Sequence, residues 1–373
     1  MLHSEGSRIM HFGAYDYVTW AKGKNADEVY KGELDLLQKA EDLGFEHYFL
    51  PEHHFLDFCL LPNQEVFIAA AAVLTKKIQL VPFGFLINYR HPIRTAETVA
   101  MIDNISNGRM HLGISRGSVE WEYAQFGATW KEPERREIFQ ESFDVTLAAL
   151  KDFPFSYHGK HFNYDKLEVL PRPVQKPHPP VWFPGTQSET STKWAASRGM
   201  NTAAQYVSNQ TAKQIFDMYR ASWAPSSATK EPIIALQRHI VVRESVSEAK
   251  RVAIEPLYGF WTHLFSYRNY AGLRTNLEWY RASIEGAGQQ STNKPWEDFD
   301  FMDKHNIVIV GDPQTVAKKI IQTIQETGIN YLTGIFHFGS LSIDDAGKSM
   351  KLFSKEVIPM VNQAMLQRAS ART

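Results

Sequence analysis

The stretch FLPEHHFLDF, Phe49–Phe58, sets Glu52, His53 and His54 directly behind a short apolar run, Phe45 to Leu50. A run of that length with polar residues at its end reads as a buried strand. Three titratable side chains in succession end it abruptly. In folds built on parallel sheets the chemistry collects at strand ends, so the place of this run in the whole chain decides what the three residues can do.

Similar runs recur at Arg8 to Tyr15, Ile78 to Phe83, Met110 to Ile114, Pro180 to Phe183, Asn201 to Ala204, Ile233 to Val242 and Tyr331 to Phe336. Amphipathic stretches alternate with them, as in repeated strand–helix units around a parallel sheet. With Phe45 to Leu50 they make eight, the number that closes a (β/α)8 TIM barrel. Helix punctuation agrees. Leu36, Leu37, Ala40 and Leu43 have helical spacing and Gly44 follows as a stop. Asp312 and Pro313 read as N-cap and first helical residue, Val316, Ile320 and Ile324 repeat every four, and Gly328 closes that helix.

Two segments break the rhythm. Pro171 to Pro184 carries six prolines and is expected to be extended, and YHGKHFNY before it resembles a small hairpin turning at Gly159. Ser266 to Asn306 shows no clear period, and an excursion of that length suits a lid over a site. With no repeat or linker evident, residues 1–373 are expected to form a single barrel domain with a mobile insertion at 266–306.

Composition narrows the function. The chain has 373 residues and a formal net charge of −1 without a basic block, which argues against nucleic acid and membrane surfaces as partners. No apolar run approaches the roughly 20 residues that span a bilayer, and MLHSEGSRIM lacks the pattern of a signal peptide. The single cysteine, Cys59, excludes an internal disulfide and cysteine-based zinc clusters. A cytoplasmic location is expected. Aromatic residues make up 13% of the chain, enough to line a pocket for an organic ligand as well as to fill a core.

Three clusters carry chemistry. Consecutive residues leaving a strand alternate faces, so His53 and His54 do not converge on one ion, and no metal is expected. Acid–base work needs only one imidazole at the barrel mouth with a carboxylate beside it. The second cluster, Ser115 to Ser118, follows the fourth strand, and Arg116 beside Gly117 offers a bidentate donor with close backbone approach, a plausible phosphate grip. An arginine there also suits a simple ion pair. The third, FPGTQSETSTKWAASRG, gathers Thr186, Ser188, Thr190, Ser191 and Thr192 ahead of a helix expected over Trp194 to Arg198, a ready anion site or an ordinary cap. The run GISRG, Gly113 to Gly117, has Gly-x-Ser-x-Gly spacing but is not read as a strained nucleophile elbow, and Walker and dinucleotide fingerprints are missing from the sequence.

Taken in order and spacing, FEHYFLPEHHF, RHPIRTAETVAMIDNISNGRMHLGISRG, PERREIFQESFD, VWFPGTQSETSTKWAASRG and GIFHFG…MKLFSKEVIP closely resemble the bacterial luciferase-like flavin monooxygenases over nearly the whole chain. The resemblance implies a TIM barrel with insertions, in agreement with the strand count. It implies an enzyme that takes reduced FMN as co-substrate and molecular oxygen, and oxidises a small organic substrate through a flavin hydroperoxide. A separate flavin reductase and a homodimer or heterodimer are implied as partners.

Matched position by position, His53 falls on the family's acid–base histidine, with Glu52 beside it near the flavin, and the two are expected to be the catalytic residues. Arg116, Ser188 and Ser191 fall on the FMN phosphate site. Phe83 and Gly84 fall on a cis peptide against which the flavin ring packs. Arg135 falls on a flavin-contacting arginine, and one extra residue leaves Arg136 open. Glu97 falls on a carboxylate in the dimer interface. Ser115 replaces the reactive cysteine of light-emitting members, and Gln187 replaces a glutamate at the phosphate end. Both departures speak against bioluminescence and leave flavin binding intact. Two rival readings stand beside the monooxygenase: a deazaflavin-dependent dehydrogenase on the same barrel, and a non-catalytic flavin-binding subunit.

Overall fold

The computed structural model describes residues 10–20, 23–117, 120–128, 130–184, 188–270 and 298–370. Within them the strands are β1 (His11–Tyr15), β2 (His47–Leu50), β3 (Gln79–Pro82), β4 (Phe85–Leu86), β5 (Leu112–Ser115), β6 (Phe155–His158), β7 (Asn163–Leu167), β8 (Val181–Phe183), β9 (Asn201–Ala204), β10 (Ile234–Val242), β11 (Val308–Gly311) and β12 (Tyr331–Ile335). The main sheet runs β3-β2-β1-β12-β10-β9-β8-β5-β4, and β11 also pairs with β10. A bridge from Leu80 to Met110 joins β3 to the approach of β5, so the parallel sheet curls into a nearly closed barrel. The eight expected runs supply its eight principal strands.

Several boundaries move by a few residues, and β11 is an addition. Nine-residue β10 is longer than its neighbours. It pairs with β12 through Ala235–His239 and with β11 through His239–Val242, so its far half takes a further partner. The expected hairpin is present as antiparallel β6 and β7, with Gly159 N–H bonded to the Phe162 carbonyl.

The barrel is filled, not hollow. Inward-facing Phe49 and Trp182 meet edge to face with centroids 5.0 Å apart, and His47 and Tyr331 join them, His47 Nδ1 lying 2.8 Å from the Tyr331 hydroxyl. Gly13 makes room for this layer, since a Cβ there would come within 2.7 Å of Tyr331 Oη. Helices cover the outside: α1 (Ala26–Asp42), α2 (Gln64–Leu74), α3 (Pro92–Ile105), α4 (Glu120–Gln125), α5 (Glu134–Lys151), α6 (Glu189–Ser197), α7 (Asn209–Ser222) and α8 (Val246–Tyr270), with later helices that include Pro313–Thr327 and Ile343–Leu352. The expected punctuation holds. Gly44 has φ 82° behind α1, Asp312 caps Thr315 N–H, and Gly328 with φ 66° ends Pro313–Thr327.

With the interior plugged, the C-terminal strand ends are where this architecture places a ligand. The expected lid lies largely outside the described residues. Ser266–Tyr270 continue α8 and Phe299–Lys304 form a short helix, while residues 271–297 lie outside the described residues.

Candidate active site

Glu52, His53 and His54 leave β2 at the mouth and divide their work. Glu52 is buried, and a buried carboxylate needs several partners to offset its lost hydration. Its Oε2 accepts from Gln64 Nε2 at 3.1 Å and from the Leu86 N–H at 3.2 Å, and lies 3.2 Å from Arg90 Nη2; Oε1 meets His54 Nε2 at 3.1 Å. Arg90 also forks onto Glu65, at 2.6 and 3.0 Å. Both Glu52 oxygens are thereby engaged.

His53 faces a different carboxylate. Its Nδ1 lies 3.4 Å from Glu122 Oε1, which also accepts the His54 N–H at 3.3 Å. The imidazole is 27% exposed and the Glu122 side chain 1%, so a buried carboxylate holds one edge of a ring that still reaches solvent. Sequence reasoning missed Glu122. It lies on α4, 69 residues beyond His53, and nothing local to EWEY marks its facing.

The next strand end carries the Phe83–Gly84 peptide, which is cis as expected. Here a side chain has no room: a Cβ on Gly84 would fall 2.7 Å from the backbone of Ile114. Phe83 is buried edge to face against Phe49 and Tyr15.

Arg116 follows β5. Ser115 Oγ accepts the Gly117 N–H at 3.3 Å, Gly117 turns the chain with φ 76°, and the Tyr123 hydroxyl donates to the Arg116 carbonyl. The guanidinium meets Glu132, Nη1 to Oε1 at 2.5 Å. Arg135 reaches the same Oε1 at 3.3 Å while its own guanidinium lies over the Tyr123 ring, 5.0 Å from the centroid. Arg136 Nε stands 3.8 Å from Oε2. Both arginines left open by the sequence therefore converge on one carboxylate. Burial holds the Arg116 pKa below its ordinary value; Glu132 opposes this, and Arg135 and Arg136 add to it.

Across from Arg116 lies the start of α6. Here the expectation is corrected: the helix begins at Glu189, not near Trp194, so Thr190, Ser191 and Thr192 sit in its first turn. Ser188 is the N-cap, its Oγ accepting the Ser191 N–H at 3.3 Å. A narrow cleft runs between the two, bounded by Arg116, Arg136, Thr190 and Ser191 over Phe183 and Trp194. Gln187 lies outside the described residues. Adjacent residues of α4 tie the parts together: Glu122 holds His53, and Tyr123 holds the Arg116 backbone.

The model of the luciferase-like monooxygenase family matches residues 10–331. The chain belongs to that family. It is 26% identical to the alkanal monooxygenase alpha chain of the Kryptophanaron alfredi symbiont, covering 95% of this chain and 99% of that one. It is 24% identical to the oxygenase component of the flavin-dependent trigonelline monooxygenase of Acinetobacter baylyi, covering 92% and 93%. Among solved structures, the oxygenating constituent of 3,6-diketocamphane monooxygenase from Pseudomonas putida, in complex with FMN, superposes with a TM-score of 0.80 at 23% identity, covering 94% of this chain and 98% of that one. That likeness shows the barrel. The same fold also serves F420-dependent enzymes. The family establishes the chain as a flavin-dependent oxidoreductase of the monooxygenase type. Among the described residues no helix is long and apolar enough to cross a membrane.

Proposed function

We propose that this chain is the oxygenase of a two-component system that takes reduced FMN from a separate reductase and uses molecular oxygen to oxygenate a small organic substrate. The observation that carries the reading is the cleft between β5 and α6. Arg116 and Arg136 line it with Thr190 and Ser191 in the first turn of a helix, and Arg135 shares the Glu132 carboxylate with both arginines. That donor set fits a phosphate dianion. Arg116, Arg135, Ser188 and Ser191 would hold the FMN phosphate, with Phe83, Gly84, Ser115 and Gln187 toward the rest of the cofactor. Bound reduced FMN supplies the electrons that activate oxygen.

The chain's own residues do the rest. His53, held at Nδ1 by Glu122, keeps its Nε2 to exchange a proton with the reacting groups. Glu52 keeps the corner rigid through Arg90, Gln64 and His54. Residues 266–306 would close the site against water. A dimer is supported by Val66, Val73 and Leu74 on α2 and Met101 and Ile105 on α3, all exposed, with Glu97 half-buried and paired to Arg94 on the same surface.

The test supplies photoreduced FMN to the purified chain and follows oxygen uptake and product with candidate aldehydes, ketones and terpenes. Uptake coupled to product is expected. In His53→Ala, FMN binding should persist while product per oxygen consumed falls by about 100-fold, within the range of a lost acid–base group. Equal coupling in the variant would remove His53 from the mechanism. Hydride transfer to F420 without oxygen uptake would replace the monooxygenase by the dehydrogenase reading, and no turnover with either cofactor would favour a non-catalytic subunit.

A further inference from the structure

We propose that Glu132 is an internal stand-in for the cofactor phosphate, an anion that holds the cleft arginines together and is displaced when phosphate enters; this rests on the reading of the cleft as a phosphate site. The argument is one of charge and access. A single carboxylate contacts Arg116 at 2.5 Å, Arg135 at 3.3 Å and Arg136 at 3.8 Å. Three cations against one anion leave two positive charges over, and displacing Glu132 leaves all three guanidiniums to face the incoming dianion. Like charges this close repel unless an anion lies among them.

The Glu132 side chain is 39% exposed, so it can exchange its arginines for water without crossing a buried barrier. Glu52 at the other end of the mouth has no such freedom, with its side chain 1% exposed and both oxygens engaged. Nor is Glu132 part of regular structure. It precedes Pro133, the N-cap of α5, and holds its position largely through the arginines it touches.

Such an arrangement sets the affinity of the site from within. Every phosphate that enters must first detach Glu132, so binding is weaker than the three arginines alone would give. The arginines do not spread apart between turnovers. For a protein that receives its flavin from another chain and returns it, weak and reversible capture is the useful property.

The experiment measures FMN, riboflavin and inorganic phosphate binding to the full chain, wild type against Glu132→Gln, Glu132→Asp and Arg116→Ala. Glu132→Gln removes the competing charge and should tighten FMN and phosphate by about three- to tenfold, the scale of part-exposed ion pairs acting together, with riboflavin unchanged. Glu132→Asp keeps the charge and should stay near wild type, which separates charge from folding. Unchanged or weaker FMN binding in Glu132→Gln, while Arg116→Ala still weakens FMN, would overturn the stand-in and leave the phosphate site. Equal affinity of the wild type for FMN and riboflavin, unaffected by Arg116→Ala, would overturn both.

Discussion

Two clusters of charge at the C-terminal end of the barrel are built to opposite specifications. One joins Asp16 behind β1, Glu33 on α1 and His337 behind β12. It is closed: the Glu33 and His337 side chains are 0% and 3% exposed, and Glu33 Oε1 lies 2.7 Å from His337 Nδ1. Asp16 accepts the Val18 N–H and the Tyr48 hydroxyl, each at 2.8 Å. Burial, then the neighbouring Glu33, pushes the Asp16 carboxyl well above the usual range, while His337, against the pull of burial, is raised to about 9 by Glu33 and Asp16. The cluster therefore favours a charged imidazole beside Glu33 and disfavours the anion at Asp16. The other cluster, Arg116, Arg135, Arg136 and Glu132, is open and carries excess positive charge. A dry, internally paired cluster binds secondary structure together; an open one with excess charge suits a ligand, as proposed above for the cleft.

The ligating atoms of Asp16, Glu33 and His337 all lie within 4.8 Å of one another, a spacing a metal ion would also accept. Both Asp16 oxygens accept hydrogen bonds and the imidazole faces Glu33. The largest effect in the molecule is therefore expected from Glu33→Ala. Leaving His337 and Asp16 buried without it should cost about 3–5 kcal/mol in chemical denaturation. A loss below about 1 kcal/mol, the value of an exposed pair, would erase the contrast between the clusters.

A smaller effect follows from pH. A histidine whose folded pKa is raised contributes stability that is fully present below its ordinary value near 6.5 and is lost as pH rises through about 9. Glu33, whose pKa is lowered by His337 against the effect of burial, contributes in the opposite sense, and its share is lost as pH falls through the acid range. Thermal melts should fall between about pH 7 and 9 in the wild type and flatten there in His337→Gln. A wild-type curve level across that window would mean the imidazole is neutral in the fold.

Much of the barrel was legible because its strands are buried on both faces and so read as unbroken apolar runs between turn residues. Val308–Gly311 has that character too, yet eight runs already closed a barrel and the long second edge of β10 is not visible in its own sequence. At the site, Arg116 stood out because it follows a strand directly, His53 because it lies just beyond one, and Ser188 because hydroxyls gather ahead of a helix, whereas the Phe83–Gly84 peptide was implied only by the resemblance. Glu122 and Glu132 were not. Each acts on a residue of another element, and a short helix or a turn carries no period from which its facing can be read. The start of α6 was misread for a local reason: Thr and Ser are weak helix formers, and the run from Thr190 to Thr192 looked like a lead-in when it is the first turn.

Arg116→Ala sharpens the comparison most directly, because the two clusters answer it differently. Removing a charge-assisted contact to phosphate should weaken FMN by about 10- to 100-fold, corresponding to roughly 1.5–3 kcal/mol, while riboflavin, which lacks the phosphate, is bound as before. The fold should hardly notice. Arg116 stands beside two other guanidiniums that disfavour its charge, and Glu132 keeps both Arg135 and Arg136 when it is gone. Denaturation of Arg116→Ala should therefore lie within about 0.5 kcal/mol of wild type, as for substitutions away from buried networks. A destabilisation approaching that of Glu33→Ala would mean that the arginine cluster is scaffold as well, and that its excess charge is balanced by groups other than a ligand.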